Sequence, residues 1–89
     1  MSQHMSMVIP QLYIGNIQAA ESLNHLKDSG ITHIIQAMGG MDPLYPKDFQ
    51  YKVLPISDSP TENIGRYFED VVQWISRVMD QGGKILVHW

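Results

Sequence analysis

Eighty-nine residues, 44% of them apolar, make one small domain at most. The formal charge of −3, from nine acidic and six basic residues, includes no basic stripe and no block of like charge, so a nucleic-acid partner is not expected. No apolar run approaches the ~18 residues of a membrane-spanning helix, so no membrane partner is expected either.

The start, MSQHMSMV, lacks a cationic segment ahead of an apolar one and has no glycine at position 2. A cytoplasmic protein, or one also found in the nucleus, is the default. "MVIPQLYIGN" (7–16) mixes β-branched and aromatic residues with Pro10 and predicts an edge strand that ends at Gly15-Asn16. "AAESLNHLKDSG" (19–30) predicts a helix with a narrow stripe of Ala19, Ala20, Leu23 and Leu26, capped by Gly30. "ITHIIQA" (31–37) is a continuous apolar run of strand length, as in strands buried on both faces of a parallel sheet. "MGGMDPLYPKDF" (38–49) has the glycines, prolines and aspartates of a loop. Its Met38-Gly39-Gly40-Met41 lacks the lysine and hydroxyl of a nucleotide-phosphate loop, so it reads as a plain loop, with room for a role in bordering a substrate cleft.

"QYKVLPIS" (50–57) predicts another strand. In "DSPTEN" (58–63), Ser59 and Glu62 have capping-box spacing, with Pro60 at the first helical position. The helix that follows runs to about Gln81, and Ile64, Tyr67, Phe68, Val71, Val72, Ile75, Val78 and Met79 form one broad apolar face. Gly82-Gly83 stop it, and "KILVH" (84–88) is the last strand. Strands alternating with helices predict an α/β fold with a mostly parallel sheet and crossover helices.

Ligands of open α/β sheets bind beyond the carboxyl ends of the strands, usually on a loop entering a helix. Here the last strand reaches His88 with neither loop nor helix after it. The expectation is one partial domain over 1–89, truncated at the strand that should lead into a binding loop and missing its C-terminal helical layer. The uncovered sheet face would then be an interface or an aggregation hazard.

"IPQLYIGN", "LKDSGITHIIQA", "YKVLPISDSPTENIGRYFEDVVQWI" and "KILVH" together resemble, in unbroken order over about 8–88, the dual-specificity protein phosphatases, and among them the small atypical members. The resemblance implies a phosphatase fold and metal-free hydrolysis of phosphomonoesters on protein side chains, with a phosphoprotein as substrate and no cofactor. In that family a cysteine of a His-Cys-x-x-Gly-x-Ser-Arg loop attacks phosphorus, because a low-pKa thiol beside a helix N-terminus is a good nucleophile. Backbone N–H groups and the arginine hold the phosphoryl oxygens, and a separate aspartic acid protonates the leaving oxygen.

Carried over, Asp58 matches the general acid and lies 31 residues before position 89. His88 matches the histidine before the nucleophile, which helps tune that thiol. Trp89 occupies the nucleophile position, and an indole with one N–H donor and no usable lone pair cannot attack phosphorus. The chain has no cysteine, and its arginines, Arg66 and Arg77, both precede the last strand. The chain as written therefore lacks the catalytic Cys and Arg and is expected to be inactive alone.

Each residue also has a structural reading. Asp58 sits where turn aspartates are common, and His88 could be a satisfied core histidine. His25 and His33 have no metal-ligand spacing and read as a surface and a strand residue, so no metal site is expected. Trp74 and the long apolar stripe read as core. Trp89 is either a genuine terminus packed on the sheet or an artefact of a cut or altered chain. The alternative to a phosphatase part is a non-catalytic, pseudophosphatase-like binding module whose protein partner covers the exposed sheet face.

Overall fold

A computed structural model describes residues 5–39, 42–55 and 64–88. A five-stranded sheet has β1 (Met5–Ile9), β2 (Leu12–Gly15), β3 (His33–Gln36), β4 (Gln50–Val53) and β5 (Ile85–His88) in the order β1-β2-β5-β3-β4. All neighbours are parallel except the antiparallel β1–β2 pair. β5, the last strand in sequence, is the central one. The expected α/β class and mostly parallel sheet are present.

The segment read as one edge strand (7–16) is a hairpin. Ile9 pairs with Leu12 across a turn at Pro10-Gln11, so β1 takes the edge and β2 lies one strand inside it. Proline donates no backbone hydrogen bond and fits the turn position better than a ladder. Gln11 then ties three elements together: its amide donates to Met79 O (3.2 Å) and Gly83 O (3.0 Å).

The helix read over 19–30 starts earlier and breaks once, into α1 (Ile17–Glu21) and α2 (Leu23–Asp28). Asn16 caps α1, its side chain accepting from Ala19 N at 3.1 Å. Ser22 interrupts the helix with ψ 80°, its hydroxyl donating back to Gln18 O. Gly30, with φ 81°, closes α2 as expected: Gly30 N donates to Lys27 O and Ile31 N to Leu26 O.

A 3₁₀ turn (Ile64–Tyr67) leads into α3 (Phe68–Asp80), which ends by the same motif, with Gly82 at φ 78° and Gly83 N bonded to Val78 O. A Cβ on Gly83 would lie 2.7 Å from Val78 Cγ1 and 2.9 Å from Thr32 Oγ1, so only glycine fits there. The capping-box residues Ser59 to Glu62 lie outside the described residues.

Strand alternation divides the core into two layers. On one face Ile34 and Leu86 pack with Ala19, Ala20 and Leu26 of α1 and α2, and with Phe49. On the other, Ile35 and Ile85 pack against Val78, with Tyr67, Val71, Trp74 and Ile75 beside them. The apolar face of α3 is narrower than its periodicity predicts: Phe68 is 71% and Val72 48% exposed. The helix packs on Ile35, Leu54 and Ile85, with Leu12 and Val87 beside them, through Val71, Trp74, Ile75 and Val78, and Phe68 and Val72 are not part of that contact. Ile9 and Ile14, on the same side of the sheet but on β1 and β2, are 44% and 37% exposed.

Candidate active site

The carboxyl ends of the parallel strands meet in one register row, Gly15–His88–Gln36–Val53. Backbone bonds continue the sheet just past it, Ala37 N to His88 O and Leu54 N to Gln36 O, both 2.8 Å. α1 leaves directly from the end of β2 and packs on β5.

His88 and Gln36 are each 1% exposed, the most deeply buried polar side chains of the sheet. Burial pushes the His88 imidazole below its ordinary pKa, so the ring is neutral near pH 7. Its Nδ1 is buried and has no hydrogen-bond partner among the described residues. Leaving such a nitrogen unpaired costs about 1–3 kcal/mol. A fold tolerates that cost where the group serves a neighbour.

Of the sequence-derived site residues, His88 lies on this row. Asp58 and Trp89 lie outside the described residues. Gln36 was not singled out in the sequence. Its signal is a polar residue closing the apolar run "HII", directly across from the strand-terminal histidine.

The other histidines fall elsewhere. His25 is exposed on α2, and His33 is buried at the amino end of β3. The described residues contain no group of three or more His, Cys, Asp or Glu placed to hold a metal. No helix among them is long and apolar enough to cross a membrane. A cavity of about 370 Å³ between Ile31–His33 and Pro46–Gln50 opens at the amino ends of β3 and β4, away from His88. The strand-end row is the stronger site candidate, because ligands of parallel sheets gather at the carboxyl ends. On the α1–α2 face, loop 42–49 is pinned down by Tyr45 Oη donating to Glu21 O (2.6 Å), Tyr45 N donating to Tyr51 Oη (3.1 Å), and a Lys27–Asp48 ion pair (2.9 Å).

The model of the family described as "Dual specificity phosphatase, catalytic domain" matches residues 12–88. Dual specificity protein phosphatase 1 of Arabidopsis thaliana is 37% identical over 83 residues, covering 93% of this chain and 42% of that protein. The mouse (Mus musculus) serine/threonine/tyrosine-interacting protein is 37% identical over 95 residues, covering 99% of this chain and 43% of its own length. The crystal structure of DUSP15 superposes with a TM-score of 0.86 at 36% identity, over 94% of this chain and 53% of that one. The chain thus spans less than half the length of these two curated relatives. Matching order, fold and family model agree: the chain belongs to the dual specificity phosphatase catalytic-domain family.

Proposed function

We propose that residues 1–89 are the part of a dual specificity phosphatase domain that supplies the general acid and the strand entering the phosphate-binding loop. The whole domain hydrolyses phosphomonoesters of phosphotyrosine and phosphoserine/threonine on a phosphoprotein, through a phosphocysteine. One observation carries this reading. The family match runs collinearly to His88, and His88 stands buried at the carboxyl end of the central strand with its Nδ1 unpaired among the described residues.

In this reading Asp58, in acid form, protonates the leaving oxygen as the P–O bond breaks. His88 lies beside the nucleophile position and lowers the pKa of a thiol there through its backbone and ring hydrogen bonds. Trp89 stands at that position and is not competent to attack. Such an acid has nothing to assist in this chain, which contains no cysteine. The expected result is no turnover of an aryl phosphate by the purified chain above a buffer blank. Turnover that disappears in Asp58→Asn would overturn the predicted inactivity of the chain.

A second reading has its own support: a pseudophosphatase-like module that binds a protein partner, not through the last strand, where Ile85 and Leu86 are buried, but through the sheet face at β1 and β2 that holds exposed Ile9 and Ile14. One relative of similar identity is itself called an interacting protein. This reading requires the chain to fold alone. A single cooperative denaturant transition is its expected signature, and a broad, gradual one contradicts it.

A further inference from the structure

At the end of the sheet opposite His88, a cavity of about 150 Å³ lies between the amino ends of β3 and β4 and the last two turns of α3. His33 and Gln50, cross-strand partners, form one wall. Trp74, Arg77, Val78 and Gln81, one helical face at i, i+3, i+4 and i+7, form the other. At ~30 Å³ per water, the space holds about five waters, enough for a phosphate- or sulfate-sized ion.

The lining is chemically one-sided. Among the described residues it contains a guanidinium, an imidazole, two carboxamides and an indole, and no carboxylate. The Arg77 guanidinium makes no ion pair or hydrogen bond among the described residues. The side-chain amides of Gln50 and Gln81 are equally unengaged.

The His33 ring, 8% exposed, is fixed in place. Its Nδ1 lies 2.6 Å from Thr32 Oγ1, which in turn accepts from Lys84 N (3.0 Å) and donates to Lys84 O (3.1 Å). With the threonine proton used on Lys84 O, Nδ1 is the donor to Thr32 and carries hydrogen. The Trp74 ring holds the imidazole edge-on, centroids 5.4 Å apart. The remaining nitrogen, Nε2, is the ring's uncommitted polar atom.

The C-terminus of α3 is nearby, and its dipole alone would disfavour an anion by about 0.3–1 kcal/mol. Its last carbonyls are already bonded, Val78 O to Gly83 N and Met79 O to Gly82 N and the Gln11 amide. A guanidinium–oxyanion pair is charge-assisted and two-pronged, which outweighs that residual field.

We infer that this cavity is a binding site for a free, phosphate-sized oxyanion, held by Arg77 with Gln50 and Gln81, while His33 Nε2 accepts from a P–O–H of the hydrogen phosphate ion. It is separate from the strand-end site, since the length of β3 lies between them, roughly 10 Å at ~3.3 Å per residue.

The test is a titration of the full-length protein with inorganic phosphate, followed by NMR at the His33 ring and the Trp74 indole N–H. These signals report this cavity and not the strand-end site. The expected result is saturation with Kd on the order of 1 mM, and Arg77→Met weakening it by roughly tenfold. Because Arg77 is exposed, the variant should melt with the parent. Shifts that fail to saturate, equal shifts from chloride at matched ionic strength, or unchanged affinity in Arg77→Met would each overturn the site. Tighter binding of a phosphopeptide than of phosphate would overturn the free-ion assignment.

Discussion

Two histidines are buried in this sheet, at opposite ends of neighbouring strands, and they are treated in opposite ways. His33, at the amino end of β3, is held by Thr32 Oγ1 and braced by Trp74. His88, at the carboxyl end of β5, is buried more deeply and has a ring nitrogen with no partner among the described residues. Both imidazoles are pushed below their ordinary pKa by loss of solvent. The first is held by its own strand's neighbours. The second has a nitrogen left unpaired among the described residues, at the end of the sheet where ligands of parallel sheets gather, which is what the proposed role beside a nucleophile requires.

The comparison rests on an intact sheet, so the largest predicted effect is structural. Ile34 is 0% exposed at the sheet centre. Ile34→Asp buries an unpaired carboxylate at a cost of several kcal/mol, which exceeds the margin of a small domain and should abolish its cooperative melt. A variant that melts like the parent would mean that the α1–α2 layer is not core.

The next test exchanges the histidines for leucine. His33→Leu loses the bond to Thr32 and leaves that hydroxyl exposed to its changed surroundings, costing about 1 kcal/mol by denaturant melt. His88→Leu removes a buried polar atom that is unpaired among the described residues and should be neutral or stabilising. If His88→Leu costs as much as His33→Leu, the ring is a satisfied core residue and the contrast fails.

The pH dependence follows from the same pair. Both folded-state pKa values lie below the ordinary 6.5, so below that pH the unfolded chain binds protons that the folded chain does not. Stability should be full above about pH 6.5 and should fall as pH drops below it, until the folded-state values are reached. The double leucine variant should flatten that part of the profile. The smallest effect is expected at Phe68, which is largely exposed: Phe68→Ser should change stability by no more than about 0.5 kcal/mol.

Much of this was legible in the sequence. The run "HIIQ" is a strand buried on both faces because helices cover both sides, and an unbroken apolar run carries that information. The uncovered face expected for "ILVH" is not there: this strand is central, Ile85 packs under α3 and Leu86 under α1 and α2, and both are 0% exposed. Gly30 and Gly82 ended their helices where expected, since positive φ leaves few alternatives. The hairpin at Pro10-Gln11 was hidden because its turn has no Asn-Gly or similar pair, and its flanks share one strand-like composition. The break at Ser22 depends on one residue's ψ and a back-bonded hydroxyl, which periodicity does not register. Phe68 and Val72 continue the helical stripe of α3, but periodicity cannot say which of its positions meet the core cluster. In the site, His88 was legible through resemblance and its position at a strand end. Gln36 was not, because its meaning arises only from the register that sets it beside His88.

The central claim is that these residues carry the acid-supplying part of a dual specificity phosphatase domain. The most direct test is a chimaera that joins residues 1–88 to the corresponding remainder of the 37%-identical Arabidopsis dual specificity protein phosphatase 1, beginning at its nucleophile. Its hydrolysis of an aryl phosphate with a poor leaving group would be measured with and without Asp58→Asn. The account predicts a cooperatively folded, active chimaera whose kcat falls by about 10²-fold or more in Asp58→Asn. A folded chimaera without activity, or one indifferent to Asp58→Asn, would contradict it.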